Sequence, residues 1–389
     1  MRALFTRQLV IRSFRRSSYM LLVRRGGLVA RVLLIALIGA VPRASAQGIP
    51  ASLTDADFWH LMTDCSEPDG YFRSENMLSN EIGFQGVIPE LSATVHGGVY
   101  FGVGPEQNFT YIAAVHPEMA FIIDIRHQNA MQHLLYKALM EMSDDRADFL
   151  SRLFSRPRPA NLDTTSTAAA LFAAFDTVRP DSLMYYRTLD AVKERLTVTH
   201  GFALDSNELR LITHNFDVFY DAGPELSYNF TAGYGGYGRG MPTYARLMTA
   251  TDGQSVPRSY LATEANYRTV RDLEIRNLIV PLTGDFGGPR AVRAAGDYVR
   301  QHGGVVTVYY TSNVEQYLFQ DGKWFDFETN VATLPLDSTS TFIRAGHAGF
   351  RGSFSGGMST SVLQPIEQLI DGVEDGRIQS YSDVLQTSH

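Results

Sequence analysis

Cysteine is almost absent from the 389-residue sequence, in which Cys65 is the single thiol. One cysteine excludes an intramolecular disulfide and a thiolate metal cluster, so we expect Cys65 to be a small buried side chain. The ten histidines form no HExxH motif and no close pair with a carboxylate at ligand spacing, and no metal is predicted. GxSxG and other nucleophile signatures are missing as well.

Long apolar runs are also lacking. Val32–Val41 contains ten apolar or Gly residues, whereas a hydrocarbon core of ~30 Å needs about 20. The run follows a basic segment and precedes Ala44-Ser45-Ala46, where small residues suit cleavage before Gln47. We therefore predict a signal peptide over residues 1–46 and an exported protein, periplasmic or extracellular, with no stable membrane span. An uncleaved N-terminal anchor, an artefact of gene calling and a start at Met20 remain alternatives.

Acidic residues are absent from the first 46 positions, so the net charge of the whole chain understates the negative charge of the remainder. The whole chain has a formal net charge of −7, with 34 Lys and Arg against 41 Asp and Glu. Without the nine arginines of residues 1–46, 25 basic residues face 41 acidic ones, a net charge of −16. The nine are Arg2, Arg7, Arg12, Arg15, Arg16, Arg24, Arg25, Arg31 and Arg43. An acidic body is a poor candidate for electrostatic binding of a phosphate backbone, so no nucleic-acid partner is predicted. The expected partner is a small-molecule ligand.

Apolar periodicity predicts an α/β fold with a mostly parallel sheet flanked by helices. Short buried strands alternate with helices that have 3.6-residue periodicity, which is typical of parallel βαβ units. The first unit comprises a strand at Val99–Val103, a helix from Pro105 to Val115, a strand at Met119–Ile123 that ends at Asp124, and a helix at Asn129–Met142. The second comprises a strand at Leu278–Leu282, a helix at Pro289–His302, a strand at Val305–Tyr310 and a last strand at Ser340–Arg344.

We predict one Rossmann-like domain over residues 47–345. Residues 144–222 form a helical insertion, with helices near 144–154, 166–176, 181–197 and 206–220, the last capped by Asp205 or Ser206. A Gly- and Tyr-rich loop follows at 223–242, and residues 346–389 form a Gly/Ser-rich tail. The loops Asp69–Glu81 and Gly223–Pro242, the second with Tyr228, Tyr234 and Tyr237, are candidates to cover a pocket.

The motif Gly102-x-Gly104 follows a predicted strand, and Asp124 ends the next one twenty residues after Gly104. This is the layout of a nucleotide-cofactor site at the carboxyl edge of a parallel sheet, with the acid on the ribose hydroxyls. Glu106 in the first helical turn would repel a pyrophosphate, which disfavours NAD and FAD. A ribose-containing cation without phosphate, such as S-adenosylmethionine, fits better. The alternative is that the glycines allow close packing and Asp124 caps the next helix.

Four segments resemble a largely uncharacterised bacterial family with a Rossmann-like, class I methyltransferase-like fold. They are Gly102–Asn108, Phe109–Ile112, Ala120–Arg126 and Ser312–Leu318 (SNVEQYL), within a resemblance from about Met77 to Arg344. The resemblance implies the fold first, and Gly102, Gly104 and Asp124 match the first glycine loop and the second-strand acid of class I methyltransferases. The predicted contacts to S-adenosylmethionine are Gly102, Gly104, Glu106, Asn108 and Asp124. The sequence departs from the methyltransferase pattern at one point. The acidic residue that opens the first methyltransferase motif is absent, because Val99 or Tyr100 stands near its place.

Polar residues after the later strands are the candidates for chemistry. Asp285 and Glu315 are the predicted catalytic residues, and Arg126 and Asn313 the predicted substrate contacts. Ser312 and Glu315 also match a helix-capping box, Asp285 lies among turn-forming glycines, and Arg126 alternatively pairs with Asp124 or faces solvent.

Three functions are therefore compared. They are an S-adenosylmethionine-dependent methyltransferase, a non-catalytic module that binds a small molecule or a protein on the same scaffold, and a hydrolase with Asp285, Glu315 or His96 as base. The third has no nucleophile signature to support it. The sequence does not decide whether any reaction occurs, and it predicts no oligomeric state.

Overall fold

The computed structural model describes residues 48–228, 241–347 and 359–388. Its centre is a six-stranded sheet in the order β3-β2-β1-β4-β5-β6, in which only β6 runs antiparallel to its neighbour. The strands are β1 (Val99–Gly102), β2 (Met119–Asp124), β3 (Ile279–Thr283), β4 (Val306–Ser312), β5 (Thr341–His347) and β6 (Ser359–Pro365). Every residue of β1, β2 and β3 is buried, as expected for a parallel sheet that helices cover on both faces.

Two groups of helices contact the sheet. One comprises α4, which lies against β2 and β3, with α3, α8 and α10 beside it; the other comprises α1 and α11, with α13 beside α11. The bounds are α1 (Asp55–Cys65), α2 (Ile88–Thr94), α3 (Gln107–Val115), α4 (His127–Glu141), α5 (Arg146–Phe154), α6 (Ala168–Asp176), α7 (Ser182–Glu194), α8 (Ser206–Ala222), α9 (Tyr244–Thr249), α10 (Glu264–Ile275), α11 (Ala291–Gln301), α12 (Val314–Gln320), α13 (Trp324–Ala332), α14 (Ile366–Glu374) and α15 (Tyr381–Gln386). Within the described ranges, none of these helices has the length and apolar character to cross a membrane.

The predicted α/β fold is confirmed as a six-stranded, mostly parallel sheet flanked by helices. β1, α3 and β2 form a parallel unit in which Val99 lies opposite Met119. The second predicted unit is arranged differently, because β3 and β4 are not neighbours but lie on opposite sides of the β2–β1 pair. The chain order of the strands thus reverses direction between β1 and β4, which makes their carboxyl ends the place where α/β proteins bind ligands.

Between β2 and β3, the helices α5 to α8 lie close to the bounds predicted for residues 144–222, and the described part contains no strand there. The start of α8 shows why the prediction was reliable. The Asp205 side chain accepts from the backbone N–H groups of Asn207 and Glu208, and the Glu208 carboxylate accepts in return from the backbone of Asp205. This capping box satisfies donors that a helix start otherwise leaves unpaired.

The predicted tail at 346–389 is wrong in its described part, residues 359–388. β6 pairs with β5 over its whole length, and α14 and α15 follow it, with Ile366 and Leu369 fully buried. The strand was missed because Ser359–Pro365 has few apolar residues. It is also an edge strand, which is recognised by its pairing with a neighbouring strand rather than by a run of apolar residues, so composition alone does not predict it.

Cys65 is buried, as predicted, and burial raises the pKa of its thiol to about 11. The thiol is therefore protonated at neutral pH, and nucleophilic chemistry at this position is disfavoured.

A partly buried imidazole links α1 to α4. Nδ1 of His200 lies 2.7 Å from a carboxylate oxygen of Asp55, and Nε2 lies 2.7 Å from a carboxylate oxygen of Glu141. Burial alone would lower the pKa of His200, but the hydrogen bond and charge of Glu141, with a further hydrogen bond to Asp55, outweigh burial and raise it above 6.5. A raised folded-state pKa means that the protonated form stabilises the fold.

We expect this contribution to depend on pH. It is fully present below the unfolded-state pKa of about 6.5 and is lost as the pH rises through the higher folded-state value. Urea unfolding of the wild type and His200→Gln from pH 5 to 9 measures it. The stability difference between the two proteins should be largest at the acidic end and should shrink above pH 6.5. A difference that grows with pH would contradict the assignment.

Candidate functional site

A pocket opens at the carboxyl ends of β1, β2, β3 and β4. The loops that follow these strands form its floor, and residues of the segment between α1 and α2, from Tyr71 to Glu81, form part of its wall. Its aromatic lining residues are Tyr71, Phe72, Tyr228, Phe286, Tyr310 and Tyr317, and its charged ones are Glu81, Asp124, Arg126, Asp285, Asp321 and Lys323. A concave site with aromatic walls and a few converging polar groups is the usual form of a small-molecule site.

The two glycines of the predicted motif have different environments. A Cβ on Gly102 would lie 2.0 Å from Oδ1 of Asn108 and 2.6 Å from a ring carbon of Tyr100, so this glycine is required by packing. Gly104 lines the pocket, has φ of +76°, and would direct a Cβ into open space. Gly104 is therefore the one of the two at which a ligand can approach the backbone.

The loop that contains Gly104 is held from beneath by two buried side chains. Asn108 donates through Nδ2 to the carbonyls of Val103, Gly104 and Pro105, at 2.9, 3.2 and 2.7 Å. His133 Nε2 lies 2.9 Å from the Gly104 carbonyl, and burial lowers the pKa of this imidazole to about 4, so that it is neutral and donates. Asn108 does not line the pocket; it shapes the loop that does.

Glu106 lies outside the pocket lining. Its side chain is completely buried at the N-terminal cap of α3, and neither carboxyl oxygen has a hydrogen-bond partner among the described residues. Burial raises the pKa of this carboxyl to about 8, so it is mostly protonated at neutral pH. The expected repulsion of a pyrophosphate by Glu106 therefore loses its basis, because the charge on which it depended is largely absent.

Asp124 lines the pocket at the end of β2, and Arg126 engages its carboxylate. Oδ1 accepts from the backbone N–H and Nε of Arg126 at 2.9 and 3.0 Å, while Oδ2 accepts from Nη2 at 2.8 Å. A carboxylate has about four acceptor positions, so the pair leaves room for one further donor on Oδ2. Asp124 can thus accept a hydrogen bond from one ribose hydroxyl, not from both hydroxyls as predicted from the sequence. Arg126 is the partner of Asp124, one of the alternatives that the sequence left open.

Asp285 lines the pocket after β3, where its two oxygens are also engaged. Oδ1 accepts from the backbone N–H of Gly287 at 2.9 Å, which makes a turn, and Oδ2 accepts from Lys323 Nζ at 2.6 Å. Glu67 holds the same loop by accepting from the backbone N–H groups of Asp285, Arg290 and Ala291. The pocket thus includes Asp285 as half of an ion pair rather than as a free base.

Glu315 does not line the pocket, although Ser312 and Asn313 do. Its carboxylate is fully buried and accepts from Nε of the equally buried Arg344 at 2.6 Å. The predicted capping box is wrong, because Asn313 caps α12 without a side-chain bond and Ser312 donates to Glu81 instead. Of the predicted residues after β4, Asn313 is the one whose side chain faces the pocket without a hydrogen-bond partner in the described ranges.

Glu81 is a charged lining residue that the sequence placed only in a covering loop, with no role of its own. It is 1% exposed and accepts four hydrogen bonds from neutral groups, which come from α3, β4 and β6. The donors are Tyr310 Oη at 2.8 Å, Ser312 Oγ at 2.6 Å, Gln107 Nε2 at 3.1 Å and Ser361 Oγ at 3.2 Å. No local motif marks Glu81, since these donors lie between 26 and 280 residues away in the chain.

The predicted covering loops are described in part. Seven residues between Tyr71 and Glu81, together with Tyr228, line the pocket, and Tyr317 meets Phe72 edge-on with ring centroids 5.2 Å apart. Tyr234 and Tyr237 lie outside the described residues, as do the predicted signal peptide and most of the Gly- and Tyr-rich loop.

Comparison with known proteins gives a family but no activity. The model of a domain of unknown function, DUF7790, matches residues 76–388, which include all six strands and every lining residue of the pocket except Tyr71 and Phe72. No curated protein matches the chain. Because the match covers most of its length, the chain belongs to the DUF7790 family.

Proposed function

We propose that the protein binds S-adenosylmethionine in this pocket and acts as a methyltransferase. The observation that supports the proposal is the placement of Gly104 and Asp124 on one pocket at the carboxyl ends of β1 and β2, where the strand order reverses. Gly104 would lie under the methionine part of the ligand, and Asp124 would accept from one ribose hydroxyl.

The topology is compatible with this proposal. A dinucleotide-binding sheet is built from two parallel βαβαβ halves. Here the sixth strand is antiparallel to β5, which leaves one complete half, β1 to β3, and an altered second half. An altered second half disfavours a dinucleotide and is compatible with a single nucleoside such as that of S-adenosylmethionine.

The charge of the lining favours a cation over a phosphate. Arg126 and Lys323 are each paired with a lining carboxylate, which leaves the buried Glu81 without an ion-pair partner in the described part of the chain. Asp321 forms no ion pair there either, but it is exposed and water screens its charge. A pyrophosphate would meet this negative charge and find both cations engaged, whereas a sulfonium would be attracted. Cofactors without phosphate thus remain favoured, although Glu106 is not the reason.

The test is calorimetric titration of the purified protein with S-adenosylmethionine, S-adenosylhomocysteine and NAD. We expect the first two to bind and NAD not to bind. Asp124→Asn should weaken nucleoside binding by about 1.5–3 kcal/mol, roughly ten- to a hundredfold, because it removes a charged acceptor.

Asp321→Asn is the matched control for Asp124→Asn. Asp321 lines the same pocket at an exposed position, so its charge is screened by water and its loss should change affinity little. Absence of heat with either adenosyl compound, or equal effects of the two variants, would refute the proposal.

Binding without catalysis is the second candidate function. It is favoured by the state of the predicted catalytic carboxylates, because Asp285 is paired with Lys323 and Glu315 is buried against Arg344 outside the pocket. His96 offers no base either, since it precedes β1 and so lies at the amino end of the strand, opposite to the pocket. Asn313 and the aromatic walls would then bind a small molecule without any proton transfer.

The compartment distinguishes the two functions. We propose that residues 1–46 export the protein, and a protein outside the cytoplasm meets little cytosolic S-adenosylmethionine. Sequencing the N-terminus of native protein from separated cell fractions tests this. A start at Gln47 in the periplasmic or extracellular fraction supports the binding function, and a cytosolic protein that retains S-adenosylmethionine in native mass spectrometry supports the enzyme.

A further inference from the structure

The Glu81 carboxylate is a buried charge with no cation beside it. It is 1% exposed, and no Lys, Arg or His in the described ranges forms an ion pair with it. The other carboxylates of the lining differ in this respect, because Asp124 and Asp285 are paired and Asp321 is exposed. Hydrogen bonds from neutral groups offset part of the cost of burying a charge but supply no counter-charge. A carboxylate of this kind in a pocket wall therefore points to a positively charged ligand.

Four neutral donors surround the carboxylate and use its full capacity. Tyr310 and Ser312 donate to Oε1, while Gln107 and Ser361 donate to Oε2. A carboxylate has roughly four acceptor positions, and these four donors occupy all of them. The same bonds leave no position for an N–H donor of a ligand. Glu81 therefore presents a negative field to the pocket without offering a hydrogen-bond acceptor.

The aromatic lining has the same preference. Tyr310 both donates to Glu81 and lines the pocket, together with Phe72, Tyr228 and Tyr317. Aromatic faces attract cations through their quadrupole and are used to bind quaternary ammonium groups, which have no N–H. The carboxylate has no free acceptor position, and the aromatic wall beside it attracts cations. Together they favour a positively charged ligand group without N–H donors over one that has them.

We propose that Glu81 makes the pocket selective for a permanently charged group without an N–H donor, namely a sulfonium or a quaternary ammonium. This inference rests on the proposed function for its principal ligand, S-adenosylmethionine, whose sulfonium is such a group. It adds that the pocket discriminates the charged cofactor from its neutral thioether product, and it assigns that discrimination to one residue that the methyltransferase resemblance does not supply.

The experiment compares the affinities of S-adenosylmethionine and S-adenosylhomocysteine for the wild type, Glu81→Gln and Asp321→Asn by calorimetry. The wild type should bind the sulfonium roughly tenfold or more tightly than the thioether, because only the sulfonium gains from the field of Glu81. Glu81→Gln should reduce the ratio to about one, and Asp321→Asn should leave it close to the wild-type value. Glutamine retains the size of the side chain, and circular dichroism checks that the variant folds.

The outcomes separate this inference from the proposed function. If both compounds bind the wild type equally, or if Glu81→Gln keeps the preference, the role of Glu81 is refuted while cofactor binding stands. If neither compound binds, the proposed function fails. The selectivity of the pocket for charge is then measured on the wild type with choline and its uncharged isostere 3,3-dimethylbutanol. The same comparison tests the selectivity if Glu81→Gln does not fold. Absent or equal binding of that pair refutes the selectivity as well.

Discussion

Replacing Glu315 with leucine lowers the free energy of unfolding by about 3–5 kcal/mol, because the substitution leaves a buried guanidinium without its counter-charge. Glu315 and Arg344 both have fully buried side chains, and their closest atoms are 2.6 Å apart. Arg344 also donates to Gln364 through Nη1 and lies over the ring of Phe342, at 4.1 Å from its centroid. These contacts hold the arginine in place, so it cannot turn to water when the carboxylate is removed. Urea unfolding followed by circular dichroism measures the loss.

The double variant Glu315→Leu/Arg344→Met provides the control. Removing both charges removes the unpaired group, so the double variant should be more stable than Glu315→Leu alone and should approach the wild type. It should also retain ligand binding, because Glu315 does not line the pocket. A single variant as stable as the wild type would show that the pair is not buried in solution. A double variant that folds but loses binding would return Glu315 to the site.

The parts of the site that were predictable from sequence depend on short-range patterns. Gly104 and Asp124 follow apolar runs that could hardly be anything but buried strands, and parallel strands bring their carboxyl ends to one edge. The capping box of Asp205 is similarly local, since donor and acceptor lie within three residues. In each case the residues that determine the structure are neighbours in the chain.

The parts that were missed depend on distant contacts. Glu81 lies in a segment without periodicity, and its role arises from donors on α3, β4 and β6. Glu106 has the same dependence, because its charge is suppressed by burial, and burial is not encoded by any pattern near position 106. The pairing of Glu315 with Arg344, which removes it from the pocket, joins α12 to β5. Charge state and ion pairing are therefore properties of the assembled fold, whereas strand order at the pocket follows from local signals.

Alanine at Gly102 and alanine at Gly104 should separate packing from ligand binding within one loop. A Cβ at Gly102 meets Asn108 and Tyr100, so Gly102→Ala should destabilise the protein by about 1–3 kcal/mol through overpacking. A Cβ at Gly104 meets nothing within 4 Å, and the cost there is the positive φ of +76°, roughly 1–2 kcal/mol for a residue other than glycine. Urea unfolding therefore gives similar losses for the two variants.

Affinity is where the two variants differ. The methyl group of Gly104→Ala projects into the pocket, where a ligand that lies against the backbone would have to move or leave. We expect S-adenosylmethionine to bind this variant roughly ten- to a hundredfold more weakly, the equivalent of an overpacked contact of about 1–3 kcal/mol. Gly102→Ala, measured below its unfolding transition, should lose less affinity than Gly104→Ala, because its methyl group reaches the pocket only indirectly, through Asn108 and the loop that Asn108 holds. Equal losses of affinity in both variants would mean that the loop responds as one unit, and that Gly104 is not itself the point of contact with the ligand.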